Sequence, residues 1–100
     1  MSLRLVVRAR AESDIADARR WYETITPGLG SQFLDAVEAG LSTIITFPEA
    51  SPIVHGRLRR CLMRRFPYGI FYVLAERRIV VVAVLHGRKE PRDWEAEGPP

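Results

Sequence analysis

The side chains best equipped for chemistry in this sequence are its cations. Residues 57–100 carry nine arginines and one lysine against five acids, whereas residues 1–56 carry five arginines against seven acids. The surplus is grouped as Arg57, Arg59 and Arg60, then Arg64 and Arg65, then Arg77 and Arg78, then Arg88 and Lys89. A guanidinium makes paired hydrogen bonds to a phosphate or a carboxylate, so the grouping points to an anionic partner. Charge along a sheet edge also protects that edge against aggregation, and this second reading is equally open. His86, just before Arg88, has an imidazole suited to proton transfer near neutral pH. No Cys/His cluster has metal-ligand spacing and no Gly-rich phosphate loop follows a strand, so neither a metal nor a cofactor is expected. Cys61 is the single cysteine. It cannot form an internal disulfide, and the expected compartment is the cytoplasm.

These cations border the two most apolar runs, Ile70–Ala75 and Ile79–Leu85. With β-branched and aromatic residues on both sides of Glu76-Arg77, Tyr68–Ala75 and Arg78–His86 read as a tight hairpin. The second run is apolar on both alternations, which marks a central strand. Arg57–Arg65 has mixed alternation and many arginines, and reads as an edge strand. Upstream, Leu3, Leu5 and Val7 alternate as a short strand with one face buried. From Ala11 to Ile25 the period becomes helical, through Ile15, Ala18, Tyr22 and Ile25. A second amphipathic helix follows, carrying Phe33, Leu34, Val37, Leu41, Ile44 and Ile45, and Pro48 stops it. Thr26 is expected as its N-cap with Pro27 in the first helical position. Glu49–Gly56 is expected to be loop.

The chain is 100 residues, 47% apolar and 27% charged, which suits one domain. Residues 1–94 form that domain and 95–100 a flexible tail. No apolar run reaches the roughly 18 residues of a membrane span, and the start, MSLRLVVRARAES, lacks the apolar region of a signal peptide. The expected architecture is α+β: two layers in the order β-α-α-β-β-β, with one helical hairpin on one face of the sheet. The other face also carries apolar residues and needs cover, which a partner protein would supply.

RRFPYGIFYVL followed by RIVVVAVLHGRKEPRDW resembles the RelE/ParE superfamily of bacterial toxins from type II toxin–antitoxin systems, closer to its ParE-like branch. The segment DIADARRWY, Asp14–Tyr22, is similar to the first helix of that superfamily. The resemblance implies a mainly antiparallel sheet in the order 1-4-3-2. It implies a cognate antitoxin that wraps and neutralises the toxin, with operator DNA reached only through that antitoxin. It also implies one of two targets. ParE-like members poison DNA gyrase, and RelE-like members cleave mRNA on the ribosome. A member that has lost toxicity and serves autoregulation is a further alternative.

A metal-independent endoribonuclease must deprotonate a ribose 2′-hydroxyl, stabilise the transition state and protonate a leaving oxygen. The RelE-like pattern places an arginine in the third strand, another after the last strand and a tyrosine beyond it. Here Gly69 stands at the first position and Trp94 at the last, and Trp cannot serve as a proton donor in that role. Arg88 alone matches, with His86 and Arg65 as substitutes by position. The nuclease set is therefore incomplete, which favours a ParE-like binder without catalysis. Its partner-binding residues are expected among Arg57, Arg59, Arg60, Arg64, Arg65, Tyr68, Tyr72, Lys89 and Trp94.

Overall fold

The computed structural model describes residues 3–87 and 89–91. In chain order the elements are β1 (Arg4–Val7), α1 (Ala9–Ile25), α2 (Leu29–Thr46), β2 (Ile53–His55), β3 (Leu58–Leu62), β4 (Tyr68–Ala75) and β5 (Arg78–His86). The five strands form one sheet in the order β1-β5-β4-β3-β2. β1 runs parallel to β5 and the remaining pairings are antiparallel. The expected four-strand, mainly antiparallel sheet in the order 1-4-3-2 is thus corrected in detail. The sheet is mixed, and a fifth strand lies on its edge.

That fifth strand falls within the expected loop Glu49–Gly56, and Arg59 supplies its cause. The Arg59 Nη1 donates to Glu49 O at 2.9 Å and to Ser51 O at 2.8 Å. The Arg60 N–H donates to Pro52 O at 3.1 Å. These bonds draw the segment alongside β3, and Ile53–His55 pairs with it. The start of α2 also differs from expectation. The Thr26 N–H closes α1 on Tyr22 O, so Thr26 ends the first helix and does not begin the second. Gly28 turns the chain at φ 90°, a left-handed conformation that glycine adopts without strain. The helix then starts at Leu29, two residues after Pro27. Its first free N–H groups are satisfied from the preceding helix. The Glu23 carboxylate accepts from Gly28 N at 3.0 Å and Gly30 N at 2.9 Å.

Alternation sorts the sheet residues onto two faces. Under the helices lie Cys61, Ile70, Tyr72, Ile79, Val81 and Val84, packed with Ala18, Tyr22, Phe33, Val37 and Ile44. On the second face lie Leu58, Phe71, Val73, Val80, Val82 and Ala83. Val82 is the extra residue of a β-bulge, because Tyr72 pairs with Val81 and Phe71 with Ala83. The bulge puts Val82 and Ala83 on one face in succession and returns Val84 to the helix side. The second-face residues are each 3% exposed or less in the chain by itself. The expectation that a partner must cover them is corrected accordingly. Long side chains contribute to this cover, for Arg60 and Arg78 are half-buried and project from this face by register.

Candidate functional site

At the carboxyl end of β5, α1 and the sheet diverge and leave an open hollow of about 350 Å³. Asp14, Asp17 and Trp21 of α1 form one wall, and Tyr68, His86 and Lys89 the other. The chain follows this course because the Asp14 Oδ2 accepts the Val84 N–H at 3.0 Å, tying α1 to β5 just past the bulge. In the sequence Asp14 stands out only as the first residue of the DIADARRWY segment. Its value as a clasp depends on a contact 70 residues away and leaves no local signal. Trp21 is 57% exposed at the rim, and its spacing beside Tyr22 gives no hint of that.

His86 and Tyr68 face each other across the β4–β5 ladder with ring centroids 5.2 Å apart, edge to face. The Tyr68 ring also packs edge-on against Phe33 at 5.0 Å and Tyr22 at 6.1 Å. Burial pushes the Tyr22 and Tyr68 hydroxyls above the ordinary tyrosine range, so both stay protonated near neutral pH. They can donate a hydrogen bond but do not act as bases there.

The expected site residues separate. His86, Tyr68 and Lys89 share the hollow, whereas Arg57, Arg59, Arg60, Arg64 and Arg65 do not line it. Arg59 is committed to the backbone of the segment before β2 and serves the fold. Arg65 holds a left-handed φ of 73°, uncommon for a residue with a side chain, and its Nη2 donates to Gln32 Oε1 at 2.9 Å on α2. Arg57, Arg64 and Lys89 are exposed. Tyr72 is fully buried, and its hydroxyl donates to Pro48 O at 2.7 Å. It is therefore a core residue, and its expected place among partner contacts is corrected. Arg88 and Trp94 lie outside the described residues.

Gly69, where a nuclease arginine was expected, has a definite environment. A Cβ built there would lie 2.9 Å from Arg60 Cγ and 3.0 Å from Arg60 Cδ. The stem of Arg60 thus fills the space a side chain at 69 would use, on the second face of the sheet. His86 pairs with Tyr68 and lies on the helix-covered face. Gly69 and His86 thus lie on opposite faces of the sheet, and Arg65 is not among the residues lining the hollow that holds His86. Nor does any group of three or more His, Cys, Asp or Glu among the described residues have the geometry to hold a metal ion. Cys61 is buried, with its thiol pushed up by burial, so it is a poor nucleophile. No helix among the described residues is long and apolar enough to cross a membrane.

This geometry can be set beside known proteins. A search of curated proteins gives no match. Among solved structures, one chain described as "Chromosomal ParDE TA system from P. aeruginosa" superposes with a TM-score of 0.68. It is 13% identical over 87% of this chain and 98% of that one, a likeness of fold. The sequence model of the family described as "ParE toxin of type II toxin-antitoxin system, parDE" matches residues 5–91. That match runs from Leu5 in β1 to Pro91 and takes in the Asp14 clasp, the Gly28 turn, Gly69 and His86. The chain belongs to the ParE toxin family of type II toxin–antitoxin systems.

Proposed function

We propose that this protein is a toxin that acts by binding, inhibits DNA gyrase, and is held silent in the cytoplasm by a cognate antitoxin. The observation that carries the reading is the Gly69–Arg60 exchange. With the Arg60 stem lying over Gly69, the strand position that would present a catalytic arginine is filled from a neighbouring strand. General acid–base work needs its groups within hydrogen-bond reach of one reacting centre. Here His86 is on one face of the sheet and position 69, where the strand arginine would stand, is on the other. A binding surface has no such requirement. Exposed Arg57, Arg64 and Lys89 are available to a target or to an acidic antitoxin segment.

Induction of the toxin alone, with gyrase–DNA cleavage complexes and transcript cleavage measured in parallel, tests the reading. Accumulated cleavage complexes with intact transcripts are expected. Translation-dependent transcript cleavage without cleavage complexes would overturn the reading in favour of a ribosome-dependent endoribonuclease. Growth without either lesion would point to a member that acts only in autoregulation.

A further inference from the structure

The hollow at the carboxyl end of β5 gathers chemistry that the toxin reading leaves unused. Asp14, Asp17 and Trp21 follow one another on α1 at steps of three and four, so they share one face of that helix. The Trp21 ring is largely exposed, yet it packs edge-on against Tyr22 at 5.0 Å, which holds it at the rim. Tyr22 in turn stacks on Phe33 at 5.4 Å, inside the core. On the other wall, exposed His86 stands edge to face with Tyr68. A flat ring entering here meets aromatic side chains that are already placed, so little ordering cost is left.

The charges favour an anion. Asp14 has the Arg10 Nε at 3.8 Å besides the Val84 N–H it accepts, and Asp17 is paired with Arg20. These two ion pairs cancel, and among the described residues lining the hollow Lys89 then leaves it net positive. An ammonium is a point charge suited to a phosphate, and an imidazole N–H can donate to the same oxygens. The Asp17–Arg20 pair is exposed, and such pairs are held weakly, so Asp17 is able to exchange its partner for the hydroxyls of a sugar. At about 350 Å³ the hollow falls at the small end of clefts that take small ligands, about 300–1,000 Å³.

We propose that this hollow binds a single nucleoside monophosphate, with its base stacked on Trp21, its sugar hydroxyls on Asp17 and its phosphate on Lys89 and His86. Every base has a face that stacks on an aromatic ring, so Trp21 selects a nucleotide without choosing among the bases. The inference goes beyond the toxin reading and does not depend on which target the toxin inhibits.

The test titrates adenosine monophosphate into the Trp94→Phe protein, in which Trp21 is the only tryptophan left, and follows its fluorescence. A saturable change with a Kd below about 1 mM is expected. Adenosine and inorganic phosphate, titrated separately, should each bind at least about tenfold more weakly, since each fills half the site. By calorimetry, Trp21→Ala should weaken binding at least about fivefold; its ring is exposed, so the variant should fold as the parent does. Lys89→Glu should weaken it about tenfold at low salt and less at high salt. Arg77→Glu makes the same charge change in the turn before β5, at the far end of that strand from His86, and should leave binding unchanged. A Kd weaker than about 1 mM overturns the proposal. So does inorganic phosphate binding as well as the nucleotide, or an equal response to Lys89→Glu and Arg77→Glu, either of which marks a general attraction of anions. A short single-stranded oligonucleotide that binds at least about tenfold tighter through Trp21 and Lys89 would overturn the single nucleotide in favour of a nucleic-acid strand. None of these results touches the toxin reading, which the induction experiment decides.

Discussion

Gly40 brings the backbone of α2 close to Ile70 of β4, and the pair gives a sharp test of that packing. A Cβ at residue 40 would lie 2.7 Å from the Ile70 Cδ1, well inside contact distance. The next nearest atoms, Met63 Cγ at 3.9 Å and Ile70 Cγ1 at 4.0 Å, are ordinary neighbours. One methyl group therefore carries the whole conflict. Gly40→Ala gains about 1 kcal/mol of helix propensity. It loses about 1–3 kcal/mol to overpacking, since Ile70 is fully buried and has little room to turn. The net expectation is destabilisation by about 1 kcal/mol. Ile70→Val removes Cδ1 and alone costs about 1 kcal/mol. In the double variant the clash is gone and the propensity gain remains, while the new Cβ fills part of the vacated space. Its stability should return to within about 0.5 kcal/mol of the parent, a coupling of about 2 kcal/mol. Urea unfolding at equilibrium, with unchanged m-values, measures all four proteins. Costs that simply add to within about 0.5 kcal/mol would refute the close approach.

Two other expectations concern the clasps of the fold. The hydrogen bonds from the Gly28 and Gly30 N–H groups hold the Glu23 carboxyl below its ordinary value of 4.5, with Arg19 adding a smaller pull in the same direction. Because the folded value is depressed, this contribution is complete above the unfolded value and is lost as pH falls through the folded one. The urea midpoint of the parent should therefore drop more steeply than that of Glu23→Gln as pH is lowered below 4.5; parallel curves would show that the clasp is not charged. Tyr72→Phe should cost about 1–2 kcal/mol by leaving Pro48 O without its donor, and should leave antitoxin affinity unchanged, as titration calorimetry would show.

The long periodic elements were legible because their signals are local. Helical spacing marked both helices. The apolar run on both alternations marked β5 as central, and Glu76-Arg77 marked the hairpin. What escaped depends on contacts between segments. β2 is three residues long and exists through the bonds Arg59 and Arg60 make to the segment before it. The cap of α2 comes from Glu23, five and seven residues upstream of the N–H groups it accepts, so a rule that looks for the cap at Thr26 misses it. Tyr68 and Tyr72 look alike in sequence, yet the first borders a hollow and the second is sealed beneath α2. Burial of the second face was also missed. The arginines that suggested a rim facing a partner lie partly along the sheet, with Nε of Arg60 buried.

The basic segment that dominates the sequence therefore becomes several surfaces once the strand register is imposed. Arg59 is committed to the loop before β2, Arg60 lies over Gly69 on the second face, and Arg65 is turned to Gln32 on α2. Arg57, Arg64 and Lys89 remain exposed at separate places. Catalysis needs charge gathered on one reacting atom, where preorganised groups act together. Recognition of an acidic chain needs charge spread along an edge at the spacing of an extended backbone, about 3.3 Å per residue. Arg64, exposed just past the end of β3, suits the second demand. Gly69 shows why the first is not met at this position: a side chain there and the Arg60 stem compete for one volume. Moving Arg60 aside is thus the minimum change a strand arginine at 69 would require. A Gly69→Arg variant alone would have to displace the stem of half-buried Arg60 before its own guanidinium could reach the surface.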